Sequence, residues 1–156
     1  MHPNVERVAA AGAELGVAVV AREFPEGTRS AEDAARAVGC DLVQIVKSLV
    51  FTLDGELVMA LVAGTNRLDE AKLATALGGT EVGRADAAAA KAATGYSIGG
   101  VPPFGHSSPL RTVVDEDLLG LDEVWAAAGT AHHVFPIPPA DLLRAAGGRA
   151  ADLKQR

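Results

Sequence analysis

The stretch LVQIVKSLVFTLDGELVMALVA, Leu42 to Ala63, places two apolar runs on either side of Asp54-Gly55. Asp-Gly suits a two-residue type I′ turn, so the stretch predicts a β-hairpin with strands over residues 42–53 and 56–63. Both runs are nearly continuous in apolar side chains, which predicts strands covered on both faces. One residue breaks the pattern. Lys47 lies within VQIVKSLVF, and alternation puts it on the same face as Ile45, Leu49 and Phe51.

Outward from the hairpin, helices and short strands interleave. Upstream, Asn4 is placed to cap a helix that runs to Leu15 and stops at Gly16. VAVVAR (Val17–Arg22) reads as a strand and FPEGTRS as a loop. Ser30 with Asp33 then opens a short helix that Gly39 closes. Downstream, Thr65 or Asp69 starts the helix DEAKLATALGG, and the alanine-rich ADAAAAKAAT stops at Gly95. RTVVD, EVWAAA and HHVFPI read as strands. Pro138-Pro139 leads into a last helix, and RAADLKQR reads as a frayed tail. Hairpin-length connections favour one mixed α+β domain spanning residues 1–156 over a doubly wound parallel sheet, and short strands of this kind can also curl into a partly closed barrel.

Composition narrows the function classes. A 156-residue chain that is 49% apolar and 4% aromatic builds its core from Ala, Val and Leu. With 14 basic and 20 acidic residues the net charge is −6, which is not the footprint of a protein that grips duplex nucleic acid along its length. Contact with a single nucleic-acid end stays open. The one cysteine, Cys40, forms no internal disulfide, no apolar run reaches the ~20 residues of a membrane span, and residues 1–15 lack a signal-peptide pattern. A cytoplasmic protein without membrane association is expected.

Two features carry chemistry. An unpaired ammonium in an apolar strand must reach water, a carboxylate or an anionic ligand, so Lys47 is either a snorkelling side chain or a cation at a cavity mouth. TGYSIGGVPPFGH, Thr94 to His106, concentrates four glycines and two adjacent prolines. Gly99-Gly100 lets a ligand approach the backbone, and the amides beside the prolines are suited to hold a carbonyl that becomes an oxyanion; a structural crossover loop is the other reading. His106 ends this loop, either touching a ligand or as a surface imidazole.

Other chemistry is poorly supported. GYSIGG lacks the dinucleotide spacing, and GTNRLDEAK lacks the end of a phosphate-binding loop. Neighbouring His132 and His133 point to opposite faces of a strand, so they do not share a metal, and neither metal nor cofactor is expected. Ser107, Ser108 and Thr130 have no evident base.

Taken together, IVKSLVF, the Asp-Gly hairpin, the ALGG helix ending, GYSIGGVPPFGH and EVWAAAGT resemble the YbaK/prolyl-tRNA-synthetase editing-domain family, in order, from about Cys40 to Pro136. The lysine of the first long strand matches Lys47. The family's Gly-x-x-x-Pro loop matches Gly99, Gly100, Val101, Pro102 and Pro103, and the Ala128-Gly129-Thr130 turn matches a third pocket element. The resemblance implies a free-standing trans-editing deacylase that hydrolyses the ester of mischarged tRNA, with tRNA-Pro carrying Cys or Ala as the expected substrate. It also implies the fold, a curved mixed β-sheet approaching a barrel and surrounded by helices, and it implies no metal and no covalent nucleophile. Lys47, Gly99 and Gly100 are the implied catalytic residues; Val101, Pro102, Pro103, Phe104, Gly129 and Thr130 are implied to surround the substrate, with His106 beside them. Partners would be the tRNA acceptor end and a synthetase. The alternative is a binding or regulatory module that keeps the pocket without turnover. Arg144, Arg149, Lys154 and Arg156 either contact tRNA or form a solvated tail.

Overall fold

In a computed structural model describing residues 2–156, Asp54 and Gly55 both adopt positive φ, 51° and 86°, as a type I′ turn requires. The Asp54 carboxylate also accepts from the Thr80 amide (3.1 Å), the Thr80 hydroxyl (2.8 Å) and the Glu81 amide (2.8 Å). The turn is thereby tied to the next strand. It joins β2 (Val46–Leu53) to β3 (Glu56–Ala63), antiparallel from Val46↔Ala63 to Leu53↔Glu56.

The remaining elements are α1 (Pro3–Glu14), β1 (Arg22–Glu23), α2 (Ala31–Val38), α3 (Glu70–Leu77), β4 (Val82–Arg84), α4 (Ala87–Thr94), β5 (Arg111–Asp115), β6 (Val124–Ala127), β7 (His133–Ile137), α5 (Pro139–Ala145) and β8 (Arg149–Ala151). Five strands form a mixed sheet in the order β4-β2-β3-β5-β8, with β5 parallel to both β3 and β8. Three more form an antiparallel sheet in the order β1-β7-β6. A parallel bridge between Ile45 and Trp125 joins the two. The α+β class and curved mixed sheet stand, with the sheet left open rather than closed into a barrel.

β3 is the central strand and is buried from Val58 to Ala63. Met59 and Leu61 pack into one apolar cluster with Val101, Phe104 and Phe135, while Val58, Ala60 and Val62 face another with Leu73 and Leu153. β2, expected to be covered on both faces, is only half-buried between its ends. Its apolar run lines a cleft.

Other expectations need correcting. His2, not Asn4, caps α1: its Nδ1 accepts from the Asn4 amide at 3.0 Å, freeing the Asn4 side chain to donate to the Gly129 carbonyl. Val17–Arg22 is mostly not a strand. Val17 is buried and Val19 and Ala21 pack against the core, but pairing begins only at Arg22. Alternate residues of the run pack inward while Val20 is 68% exposed, so its apolar pattern reflects one covered side rather than strand partners. Nor does the last segment fray: Arg149–Ala151 pairs with β5, and Leu153 is fully buried.

Candidate functional site

A cavity of about 210 Å³ opens beside β2. Its apolar wall comes from α2 (Ala31, Ala34), from Ile45, from β6 (Trp125, Ala127) and from Val134. Thr28, Arg29, Lys47, Ile98, Gly99 and Val101 complete its lining. A wider cleft of about 530 Å³ continues along β2 past Arg67, Glu70 and Arg84 and shares Lys47, Ser48, Leu49, Ile98 and Val101 with the cavity. Lys47 therefore stands where the small chamber meets the open cleft.

The strand holds Lys47 rigidly while leaving its head usable. Its Nζ donates to the Asn66 carbonyl, and it is half-buried. Burial lowers its ammonium below the ordinary lysine range; Glu32 and Asp115 pull it back up, and Arg67 pushes it down. An ammonium has three donors, so one protein carbonyl leaves two for a ligand.

The Gly-Pro loop lines the same cavity as Lys47 through Ile98, Gly99 and Val101. Gly99 has φ of 93°, and a Cβ there would sit 2.6 Å from the Arg29 side chain. A Cβ on Gly100 would meet the Thr130 backbone at 2.7–2.9 Å, and backbone cannot yield as a side chain can. The Gly100 amide donates to the Ser97 carbonyl at 3.0 Å. Among the hydrogen bonds of the described residues, the Gly99 and Val101 amides have no protein acceptor. Gly100 thus shapes the turn, while the amides of its two neighbours stay unpaired among the described residues.

The remaining expected site residues separate into two groups. Val101 lines both chambers. Pro102, Pro103 and Phe104 are buried behind it, and the Phe104 ring packs edge-on against Phe135, 5.8 Å between centroids. His106 lies beyond, beside a separate hollow with Pro103 and Ala11, its Nε2 2.7 Å from the Pro102 carbonyl. Gly129 and Thr130 lie outside the cavity lining, and only the Thr130 backbone packs against the loop, at Gly100. Gly129 turns at φ of 104° against Asn4, and Thr130 Oγ1 lies 2.6 Å from His133 Nδ1. Arg144, Arg149, Lys154 and Arg156 line neither chamber.

Arg29, Trp125 and Thr28 were missed as site residues. Arg29 and Thr28 come from a loop with no local signature, and Trp125 reaches the cavity only through the bridge to Ile45. The Thr28 and Ser48 hydroxyls are buried without a hydrogen-bond partner. Among the described residues, no group of three His, Cys, Asp or Glu side chains could hold a metal, and no helix is long and apolar enough to cross a membrane.

Comparison with known proteins converges on this region. The model of the aminoacyl-tRNA editing domain matches residues 25–145. The proline–tRNA ligase of Citrifermentans bemidjiense is 35% identical over 105 residues, 67% of this chain and 18% of that protein. That of Nitratidesulfovibrio vulgaris strain DP4 is 33% identical over 125 residues, 78% of this chain and 22% of the ligase. The chain thus spans about a fifth of the length of these curated relatives. A crystal structure described as a candidate trans-editing enzyme for prolyl tRNA synthetase superposes with a TM-score of 0.93 at 43% identity, covering 100% of this chain and 99% of that one.

Proposed function

The chain belongs to the aminoacyl-tRNA editing domain family, and from that premise we propose that it is, as one domain, a trans-editing deacylase hydrolysing the ester of mischarged tRNA. The substrate we infer is tRNA-Pro carrying alanine or cysteine, met at its acceptor end. The observation that carries the proposal is the pairing of Lys47 with the Gly99–Val101 turn beside a chamber of about 210 Å³. The full-length likeness to a candidate trans-editing enzyme supports action apart from a synthetase.

In this reading the amino-acid side chain enters the chamber, and the walls of Ala34, Ile45 and Trp125 exclude longer side chains. The ester carbonyl lies at the Gly99 and Val101 amides. Water attacks the carbonyl carbon, the amides hold the oxyanion, and the ester C–O bond breaks as the ribose hydroxyl leaves with a proton. The ester is already activated, so positioning and oxyanion stabilisation suffice. The Lys47 ammonium faces the terminal nucleotide or the carbonyl, and Arg67 and Arg84 flank the path of the acceptor strand.

The test is a panel of tRNAs charged with alanine, cysteine, serine and proline. The purified protein should release a small amino acid from tRNA-Pro, spare the prolyl ester, and slow at least tenfold on Lys47→Ala. If no ester is hydrolysed at high enzyme concentration while an aminoacyl-adenosine analogue still binds, the protein is a binding module instead.

A further inference from the structure

Lys47 is held by a carbonyl whose own position is unusually well determined. Asn66, which supplies it, sits in the turn after β3, and its own amide donates to the Ala63 carbonyl at the end of that strand at 2.9 Å. Its side-chain amide donates to Asp115 Oδ2 at 2.8 Å and to Asp117 Oδ2 at 2.9 Å. Asp115 is 1% exposed at the end of β5. Its carboxylate also accepts from the Ala63 amide at 3.1 Å and the Asp117 amide at 3.0 Å. A buried carboxylate with that many donors has one favourable arrangement, so it acts as a fixed peg for the turn.

From outside, the segment after β8 closes over the same turn. Lys154 Nζ donates to Asp117 Oδ2 at 2.9 Å, the Gln155 amide donates to the Arg67 carbonyl at 2.8 Å, and the Asp69 amide donates to the Leu153 carbonyl at 2.7 Å. The turn is therefore pinned on both sides of Asn66.

We propose that Asn66 is a positioning residue for Lys47, aiming its ammonium toward the chamber, with Asp115 and the segment Leu153–Gln155 holding Asn66 in place. The ammonium spends one donor on the Asn66 carbonyl, which removes freedom from a four-carbon stem and directs the other two donors to the ligand. This inference rests on the deacylase reading.

A double-mutant cycle on deacylation of alanyl-tRNA-Pro tests it. Asn66→Ala should lower kcat at least fivefold with KM changed less than twofold, and in the Lys47→Ala background should cost less than twofold. A loss of equal size in both backgrounds would mean a general structural defect and overturns the proposal, as does Asn66→Ala at wild-type speed. Should Asn66→Ala fail to fold, Lys154→Met removes the outer brace alone. It should cost about two- to threefold in kcat, again only when Lys47 is present. Lys47→Ala at wild-type speed instead strikes the role given to the lysine, and a wild-type protein without activity overturns both readings.

Discussion

His106 closes the Gly-Pro loop on itself: its Nε2–H donates to the Pro102 carbonyl across a 2.7 Å contact. Burial lowers its pKa below the usual histidine value, opposed by that hydrogen bond, so the folded protein favours the neutral ring. A depressed folded pKa means that the unfolded chain takes up the proton first. Stability is therefore complete above the unfolded value of about 6.5 and is lost as pH falls below it. We expect the melting temperature to be flat above pH ~7 and to begin dropping as pH falls below ~6.5, ahead of the carboxylates. His133 shifts in the same direction, mainly through burial. His106→Gln should thus flatten part of that drop in a thermal-melt series, and an unchanged drop would show that His106 is not the group responsible. At this scale the sequence was informative about residue types and silent about partners. A lysine in an apolar strand and a paired glycine before two prolines stand out because each conflicts with its local surroundings. The partner of His106, the pegging of Asn66 and the loop residues Thr28 and Arg29 depend on contacts between distant segments, and nothing in their neighbours along the chain marks them.

Elements differ in how far their partners lie. The β2–β3 hairpin was readable because its turn chemistry and both apolar runs lie within one short stretch, and Ser30 and Asp69 cap α2 and α3 through their own side chains. β8 was not readable. RAADLKQR has no alternation, and the strand exists because β5, on the far side of β6, β7 and α5, offers an open parallel edge. Leu153 distinguishes the two descriptions energetically. It is fully buried against Leu68 and Leu73, so Leu153→Ala should cost about 2–5 kcal/mol, as large-to-small core changes do. In a frayed tail the same change would stay within about 0.5 kcal/mol. Urea unfolding at constant m-value separates the cases.

For the whole molecule, charge and site are arranged against each other. The protein carries a net charge of −6, yet Lys47, Arg67 and Arg84 border one cleft. Under the proposed function, the net negative charge disfavours contact along the length of a tRNA, and the three cations are left to meet its end. Three phosphate contacts would give a slope of log K against log salt of about −2 to −3. Titration of tRNA binding from low to physiological salt checks this, and a much steeper slope would place the contact on another basic surface. Fold class was legible from the interleaving of elements. The joining of two sheets through Ile45 and Trp125, which brings α2 over the chamber, was not, because a single bridge has no sequence pattern.

The parallel placement of β5 beside β3 also sets an order of events at the ribosome. The hairpin can form as soon as Ala63 emerges, but one edge of its central strand waits for Arg111–Asp115. At about 5–20 residues per second, several seconds of synthesis separate the two. During that interval the nascent chain displays a long apolar edge with nothing to pair with, and Asn66 has no Asp115 to hold it. The chamber beside β2 is thus among the last parts of the molecule to mature, and holdase chaperones that shield strand edges should matter more for its yield than for its final stability.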